Sequence, residues 1–548
     1  MKSFSIRFLF VFTLLASMLR AVPGTPVAAP ATAYAYALKD NWALKGSLPE
    51  NALIISLQGL ANTDAATLYL DYPESWEFHE FSIVKGFYQT RYGMKFTQLA
   101  SLDAALDALG HFAKGYVVWD QHARTSINVA FTAAGIMRGV VVDESLIPLV
   151  EKHGLKKLAD FRGQFVGQSD VQIYQWAYDR YWKDCSRDML IWMGGRFDGV
   201  MEPGIADMGI ATHAFFTDLS ADPRAKEEYA MHKLLLSQMK PLSYVFGWHS
   251  YKKDSEGQWV GLTSSYGLKV IGLNTFPNLT FVSQIGFTPD FKLTNNNHVT
   301  RDTKLTAKPK LYVCLVQTDS MGLGAWNEPE RGEFPYNWGL GVDGMRWMPA
   351  ITQMFTQDRK PNDYFIGGQS GYMYPITTPA KYFPGLMKEM REMMAAADES
   401  VVGIMDHSLH YEPVGYFDVP KRTVDLYYAN VPDAIGFING YAAAHTYDLR
   451  NGQAFMSYDY YMDEKRSEAD VVADLDELIR MNPKRPYYLL IDVREWNSIK
   501  RIKSIMDALE EKPEIVPVDT FLKLAASNKT YQTRYRTSQP GDLDEHQQ

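Results

Sequence analysis

A chain of 548 residues, 46% hydrophobic and 13% aromatic, exceeds the roughly 250–300 residues at which a single hydrophobic core stops growing, so several domains are expected. Its 64 acidic and 55 basic side chains leave a formal net charge of −9 that is dispersed along the sequence, which argues against a nucleic-acid or anionic-membrane surface. Two cysteines in such a length exclude a disulfide framework.

The N-terminus reads MKSFSIRFLFVFTLLASMLRA. Lys2 and Arg7 precede an apolar run from Phe8 to Leu15 and then small residues, the order of a secretory signal peptide, and the run is too short to span a bilayer. Residues 1–33 are therefore read as signal peptide and leader, cut after Ala21 or further along the Ala/Pro/Thr-rich stretch. The mature chain is expected to be exported, periplasmic or extracellular. No transmembrane segment and no lipid anchor is expected.

The first half alternates strand-like and helix-like segments. ALIISLQGLAN (52–62) is an apolar run ending in Gly and Asn, GYVVWD (115–120) reads as a short buried strand, and SINVAFTAAGIM (126–137) has small and apolar residues at helical spacing before VVVDESL. This is a βαβ pattern. Soft breaks divide it into an α/β domain over residues 34–145, a second over 146–255, and a third small domain or linker region over 256–306. TNNNHVTRDTKLTAKPK (294–310) is the best linker candidate.

Beyond it the pattern is regular. Apolar runs recur at LYVCLVQTD (311–319), DYFIGG (363–368), VVGIMD (401–406), AIGFIN (434–439), AFMSYD (454–459), YYLLID (487–492) and IVPVD (515–519), with helical patterns between them. These β-then-α units predict a TIM-like (β/α) barrel of seven or eight strands over residues 307–530, followed by a disordered tail, 531–548. Cys314, inside LYVCLV, reads as core; Cys185 has a polar neighbourhood.

In such barrels the functional groups come from the carboxyl ends of the strands. Asp319, Asp406, Asp459, Asp492 and Asp519 stand there, although a strand end also suits a helix cap, as Asp519 in VDTFLKL illustrates. Asp492, followed by Arg494, Glu495 and Trp496, looks less like a cap. The loop TDSMGLGAWNEPERGEFPYNWGLGVDG (318–344) interleaves Glu328 and other acids with Trp326, Tyr336 and Trp338. Carboxylates beside flat rings suit a carbohydrate, whose apolar face stacks on aromatics and whose cleavage needs two carboxyl groups; the alternative is that the rings are satellite core.

Asp319, with Asp406 or Glu328, is the candidate catalytic pair. In GGQSGYMYP (367–375), Ser370, Tyr372 and Tyr374 offer hydroxyls and rings; MDHSLHYEP (405–413) adds His407 and Tyr411, and Asn439, Asp459, Asp492 and Trp496 complete the substrate contacts. His407 and His410 beside an Asp lack a third ligand, so neither metal nor cofactor is expected.

DYFIGGQSGYMYP, the preceding NWGLGVDGMRWMPAI, and the N-terminal SLQGLAN and SINVAFTAAGI resemble the GxGYxYP family, secreted bacterial proteins named as glycoside hydrolases. The resemblance covers most of the mature chain and implies several small N-terminal domains before a TIM-like barrel. Gly371, Tyr372, Tyr374 and Pro375 fit the signature, while Gln369 stands where its first glycine should be. Thr318-Asp319-Ser320-Met321 replaces the family's Asp-Gly-Asp-Asn run, so Asp319 persists and Glu328 would have to supply the second carboxylate. The resemblance implies a secreted glycosidase with a glycan as partner. Two alternatives stay open. One is a metal-dependent polysaccharide deacetylase, approximated by Thr318-Asp319-Ser320 and His407-Ser408-Leu409-His410; the other is a glycan-binding protein without catalysis.

Overall fold

The computed structural model describes residues 29–39, 48–73, 81–194, 205–250, 252–272, 278–317, 323–341, 344–368, 373–408 and 417–536. Three small parallel sheets come first. β1 (Thr32–Ala37), β2 (Leu68–Asp71) and β3 (Lys95–Leu99) pair in the order β2-β1-β3. β4 (Gly115–Val118), β5 (Gly139–Val142) and β6 (Lys156–Asp160) pair as β5-β4-β6. β7 (Met189–Met193), β8 (Phe215–Thr217), β9 (Tyr244–Trp248) and β10 (Lys269–Gly272) pair as β10-β9-β7-β8.

Strands covered by helices on both faces read as continuous apolar runs, and GVVV, MLIWM and YVFGW are accordingly buried along their whole length. ALIISLQGLA (52–61) is helical, the latter part of helix Leu48–Ala61, and every residue from Asn51 to Ala61 is buried. An element buried all round carries no amphipathic period, so its pattern alone does not distinguish helix from strand.

The C-terminal unit holds β11 (Leu311–Gln317), β12 (Tyr336–Gly339), β13 (Asp363–Gly368), β14 (Val401–Ile404), β15 (Gly436–Asn439), β16 (Asp448–Arg450), β17 (Gln453–Ser457), β18 (Tyr460–Met462), β19 (Tyr487–Val493) and β20 (Glu514–Ile515). They form a ten-stranded mixed sheet in the order β16-β17-β15-β14-β13-β12-β11-β19-β18, with β20 on β11. All pairs are parallel except β16 with β17. The sheet thus differs from the purely parallel seven or eight strands expected: β12 runs through the long 318–344 loop, β16 makes a hairpin, and IVPVD supplies only the end of the short β20.

β17 and β18 are halves of one run. β17 pairs with β15; two residues later β18 pairs with β19. At the junction the Tyr458 amide donates to the Asn439 carbonyl at 3.1 Å and the Asp459 amide to that of Leu490 at 2.8 Å. One stretch of chain therefore links the two ends of the pairing path.

Strand alternation sorts the core. Tyr312, Cys314, Val316, Tyr364, Ile366, Met456, Tyr488 and Leu490 collect on one face with Phe521 and Leu522 of helix Val518–Ser527. Leu315, Phe365, Phe455, Leu489 and Ile491 face the other way, into the larger core. Both cysteines are buried and unpaired. The Asn-rich segment is fastened to this unit: Asn295 exchanges hydrogen bonds with the Phe365 backbone at 2.8 and 2.9 Å, and the His298 amide donates to the buried Asp519 carboxylate at 2.7 Å. Among the described residues no helix is long and apolar enough to cross a membrane.

Candidate functional site

Parallel strands bring their carboxyl ends to one edge of the sheet, and there the polar and aromatic side chains converge. β14 leads into Asp406 and His407, β15 into Tyr441, and β19 into Arg494, Glu495 and Trp496, while Tyr461 lies in β18. Gly440, at φ 118°, takes a backbone angle that L side chains rarely adopt where the chain leaves β15 for Tyr441. Gly368 ends β13 at φ 122°, where a Cβ would lie 2.4 Å from the Gly403 carbonyl oxygen.

These groups make a continuous wall. The His407 ring lies parallel to that of Tyr374 at 5.9 Å and edge-on to Phe417 at 4.6 Å and Tyr441 at 5.4 Å. Tyr441 stacks on Tyr461 at 5.8 Å and accepts a hydrogen bond from Arg494 through its hydroxyl. The Arg494 guanidinium sits 4.1 Å from the Trp496 ring centre and pairs with Glu495 at 2.9 Å. Trp496 is 44% exposed. Asp492 is buried on the strand face it shares with Tyr488 and Leu490, level with Val316 of β11 and Tyr461 of β18.

Other sequence candidates have structural partners. Asp406 accepts from the Ile376 amide at 2.6 Å, the Ser408 amide at 2.9 Å and the Ser408 hydroxyl, so it clamps two loops together. Burial pushes its carboxyl up to about 6 against these bonds. Glu328 accepts from the Ile499 amide at 2.5 Å, placing its carboxylate at the positive end of helix Ile499–Ala508. Burial raises its carboxyl, opposed by the amides of Ile499 and Lys500.

Trp326 and Trp338 are buried and offer no open face. Trp326 lies between the Arg331 guanidinium, at 3.9 Å, and Phe365, stacked at 6.0 Å. The Trp338 indole N–H donates to Asp363 at 3.0 Å, and Arg331 pairs with the same carboxylate at 2.7 Å. The reason is β12, whose pairing to β11 and β13 draws the loop's aromatics into the core.

Tyr374 is fully buried. The Asn439 amide nitrogen donates to the Phe417 carbonyl at 2.9 Å and to the Ser457 hydroxyl at 3.1 Å. Asp459 accepts from the Leu490 amide at 2.9 Å and the Tyr447 hydroxyl at 3.0 Å, and burial lifts it to about 7. Asp319, Ser370, Tyr372 and Tyr411 lie outside the described residues, as does His410. Among the described residues no three His, Cys, Asp or Glu side chains are placed to hold a metal. Tyr441 and Tyr461 escape the sequence reading; the signal for Tyr441 is its place two residues beyond the strand run AIGFIN.

Four family models match successive parts of the chain: the first, second and third N-terminal domains of GxGYxYP over residues 34–111, 113–185 and 187–284, and the "GxGYxYP putative glycoside hydrolase C-terminal domain" over 309–526. The chain belongs to the GxGYxYP family. The wall described above lies within the GxGYxYP C-terminal domain. A crystal structure from Bacteroides thetaiotaomicron VPI-5482, described as a putative hydrolase, shares the fold at 18% identity, with 92% of this chain and 96% of that chain covered and a TM-score of 0.71. An uncharacterized protein of Agrobacterium tumefaciens C58 aligns with 40% of this chain and 92% of its own at 14% identity and a TM-score of 0.28. Cwp6 of Clostridium difficile aligns with 90% of this chain and 74% of its own at 8% identity and a TM-score of 0.27. No functionally curated protein matches the chain.

Proposed function

We propose that this GxGYxYP protein is an exported glycoside hydrolase that binds a glycan at the carboxyl ends of its C-terminal strands. The observation that carries the reading is the wall from His407 through Tyr441 and Arg494 to the exposed Trp496, with the buried acids Asp492 and Glu495 beside it. Sugars bind through stacking on such rings and hydrogen bonds to such acids. The family's name supports the reaction class, and the basic-then-apolar N-terminus supports export.

The carboxyl pair is assigned to Asp492, at the carboxyl end of β19 beside the wall, and Asp319. Asp492 is on β19 and Asp319 follows β11, the strand paired to it, with Val316 opposite Asp492. Such a carboxyl pair divides the work, one protonating the leaving oxygen and the other acting as nucleophile or base. The C-terminal sheet is read as a (β/α) barrel closed by the run 453–462; support comes from the partner switch between β17 and β18 and from the small core cluster on one face.

Product analysis after incubation with a panel of host and plant glycans tests the proposal. Asp492→Asn and Asp319→Asn should each lower turnover on the order of 10²–10⁴-fold while binding persists. Full turnover in both variants would refute the assignment. Glycan binding without turnover in the wild type would make the chain a binding protein, and a stoichiometric divalent ion in purified material would favour the deacetylase.

A further inference from the structure

Helix Glu256–Ser265 lies within the third N-terminal domain. A capping box fixes its start: the Ser255 hydroxyl accepts from the Gln258 amide at 3.3 Å, and the Gln258 side chain accepts from the Ser255 amide at 2.9 Å. Glu256, the first residue of this helix, accepts a 2.6 Å hydrogen bond from the Tyr374 hydroxyl. Near the helix's other end, the Ser264 hydroxyl accepts from the Tyr374 amide at 3.0 Å. Both polar ends of the signature's second tyrosine are therefore tied to another domain.

The same helix also touches the segment that follows β14. Gly261 sits against Ser408, where a Cβ would lie 3.2 Å from the Ser408 Cβ. Ser408 and Ile376 in turn share the Asp406 carboxylate, and the Tyr374 ring stacks on His407. Elsewhere the two domains meet through an ion pair and an aromatic pair. The buried Lys269 ammonium meets Glu389 at 2.5 Å, and Tyr244 packs edge-on to Trp347 at 5.1 Å.

We infer that the third domain completes the candidate site, with Glu256 and Ser264 as positioning residues that hold Tyr374, and through it His407, at the mouth. The inference rests on placing the site at the strand ends as above, but not on what reaction occurs there. Tyr374 is then an interdomain tie and not a platform for sugar.

Hydrogen–deuterium exchange on the full chain tests this with Glu256→Ala, Glu256→Gln and Tyr374→Phe. Losing a charge-assisted hydrogen bond should speed exchange at residues 373–378 and 405–408 by about tenfold in Glu256→Ala and Tyr374→Phe. Glu256→Gln, which keeps an acceptor, should stay near wild type. The central strands β7 and β9 should be unchanged in all three. With a glycan that the wild type cleaves, kcat should fall in Glu256→Ala and recover in Glu256→Gln. Unchanged exchange at 373–378, or equal acceleration there and in β9, would overturn the inference. If exchange responds as expected while no glycan is cleaved by the wild type, the tie stands and the glycosidase assignment falls.

Discussion

Glu399 lies just ahead of β14 and is 7% exposed, and neither of its carboxyl oxygens has a hydrogen-bond partner among the described residues. It packs over the main chain of β13: a Cβ on Gly367 would lie 2.3 Å from Glu399 Oε2. Burial raises this carboxyl well above its ordinary range, and neighbouring Asp398 adds to the shift, so the fold favours its protonated form. A folded pKa above the unfolded one means that stability is fully present below the unfolded pKa and is lost as pH rises towards the folded pKa. Between those values each pH unit costs about 1.4 kcal/mol. Glu399→Gln keeps the shape and removes the titration. The variant and the wild type should therefore melt alike near pH 4.5. The variant should gain stability over the wild type with each pH unit above that, by about 1.4 kcal/mol per unit until the folded pKa is reached. Thermal melts followed by tryptophan fluorescence at pH 4.5, 5.5, 6.5 and 7.5 give the comparison. A difference between the two that is independent of pH would show that the carboxyl titrates alike in the folded and unfolded chains and would refute the reasoning.

Trp496→Ala should leave the melting temperature within a degree or two, since an exposed ring contributes little to the fold, and weaken glycan binding by roughly tenfold in calorimetry. Asp406→Ala strands the Ile376 and Ser408 donors and should cost about 2–4 kcal/mol in denaturant unfolding. The native protein should be inert to thiol reagents and yield two reactive thiols only on unfolding. Both cysteines are buried, and burial pushes Cys185 up to about 12.

The parallel strands were legible where a run is buried on both faces, as in LYVCLVQ and YYLLIDV, because such runs need no partner to announce themselves. β12 was not. YNWG is short and carries Asn337, whose side chain is a sheet component: it donates to the Leu315 carbonyl at 2.7 Å and accepts from the Val518 amide at 2.9 Å. Composition placed acids beside rings in that loop but said nothing of which rings face water. That depended on Arg331 and Asp363 closing over Trp326 and Trp338. Position alone puts Asp492 near the carboxyl end of β19 and Trp496 just beyond it. The tie from Tyr374 to Glu256 crosses 118 residues of sequence, and nothing in either neighbourhood announces the other.

The junction at Tyr458 and Asp459 fixes more than a change of partner. Side chains along an extended chain face opposite ways in turn, so one residue added there would rotate Tyr460 and Tyr461 through half a turn relative to β17. Tyr461 would then leave Tyr441, and the wall would lose a ring without losing a strand. This seam works as a gauge of length: substitutions are absorbed by packing, whereas an insertion or deletion is read out at the wall.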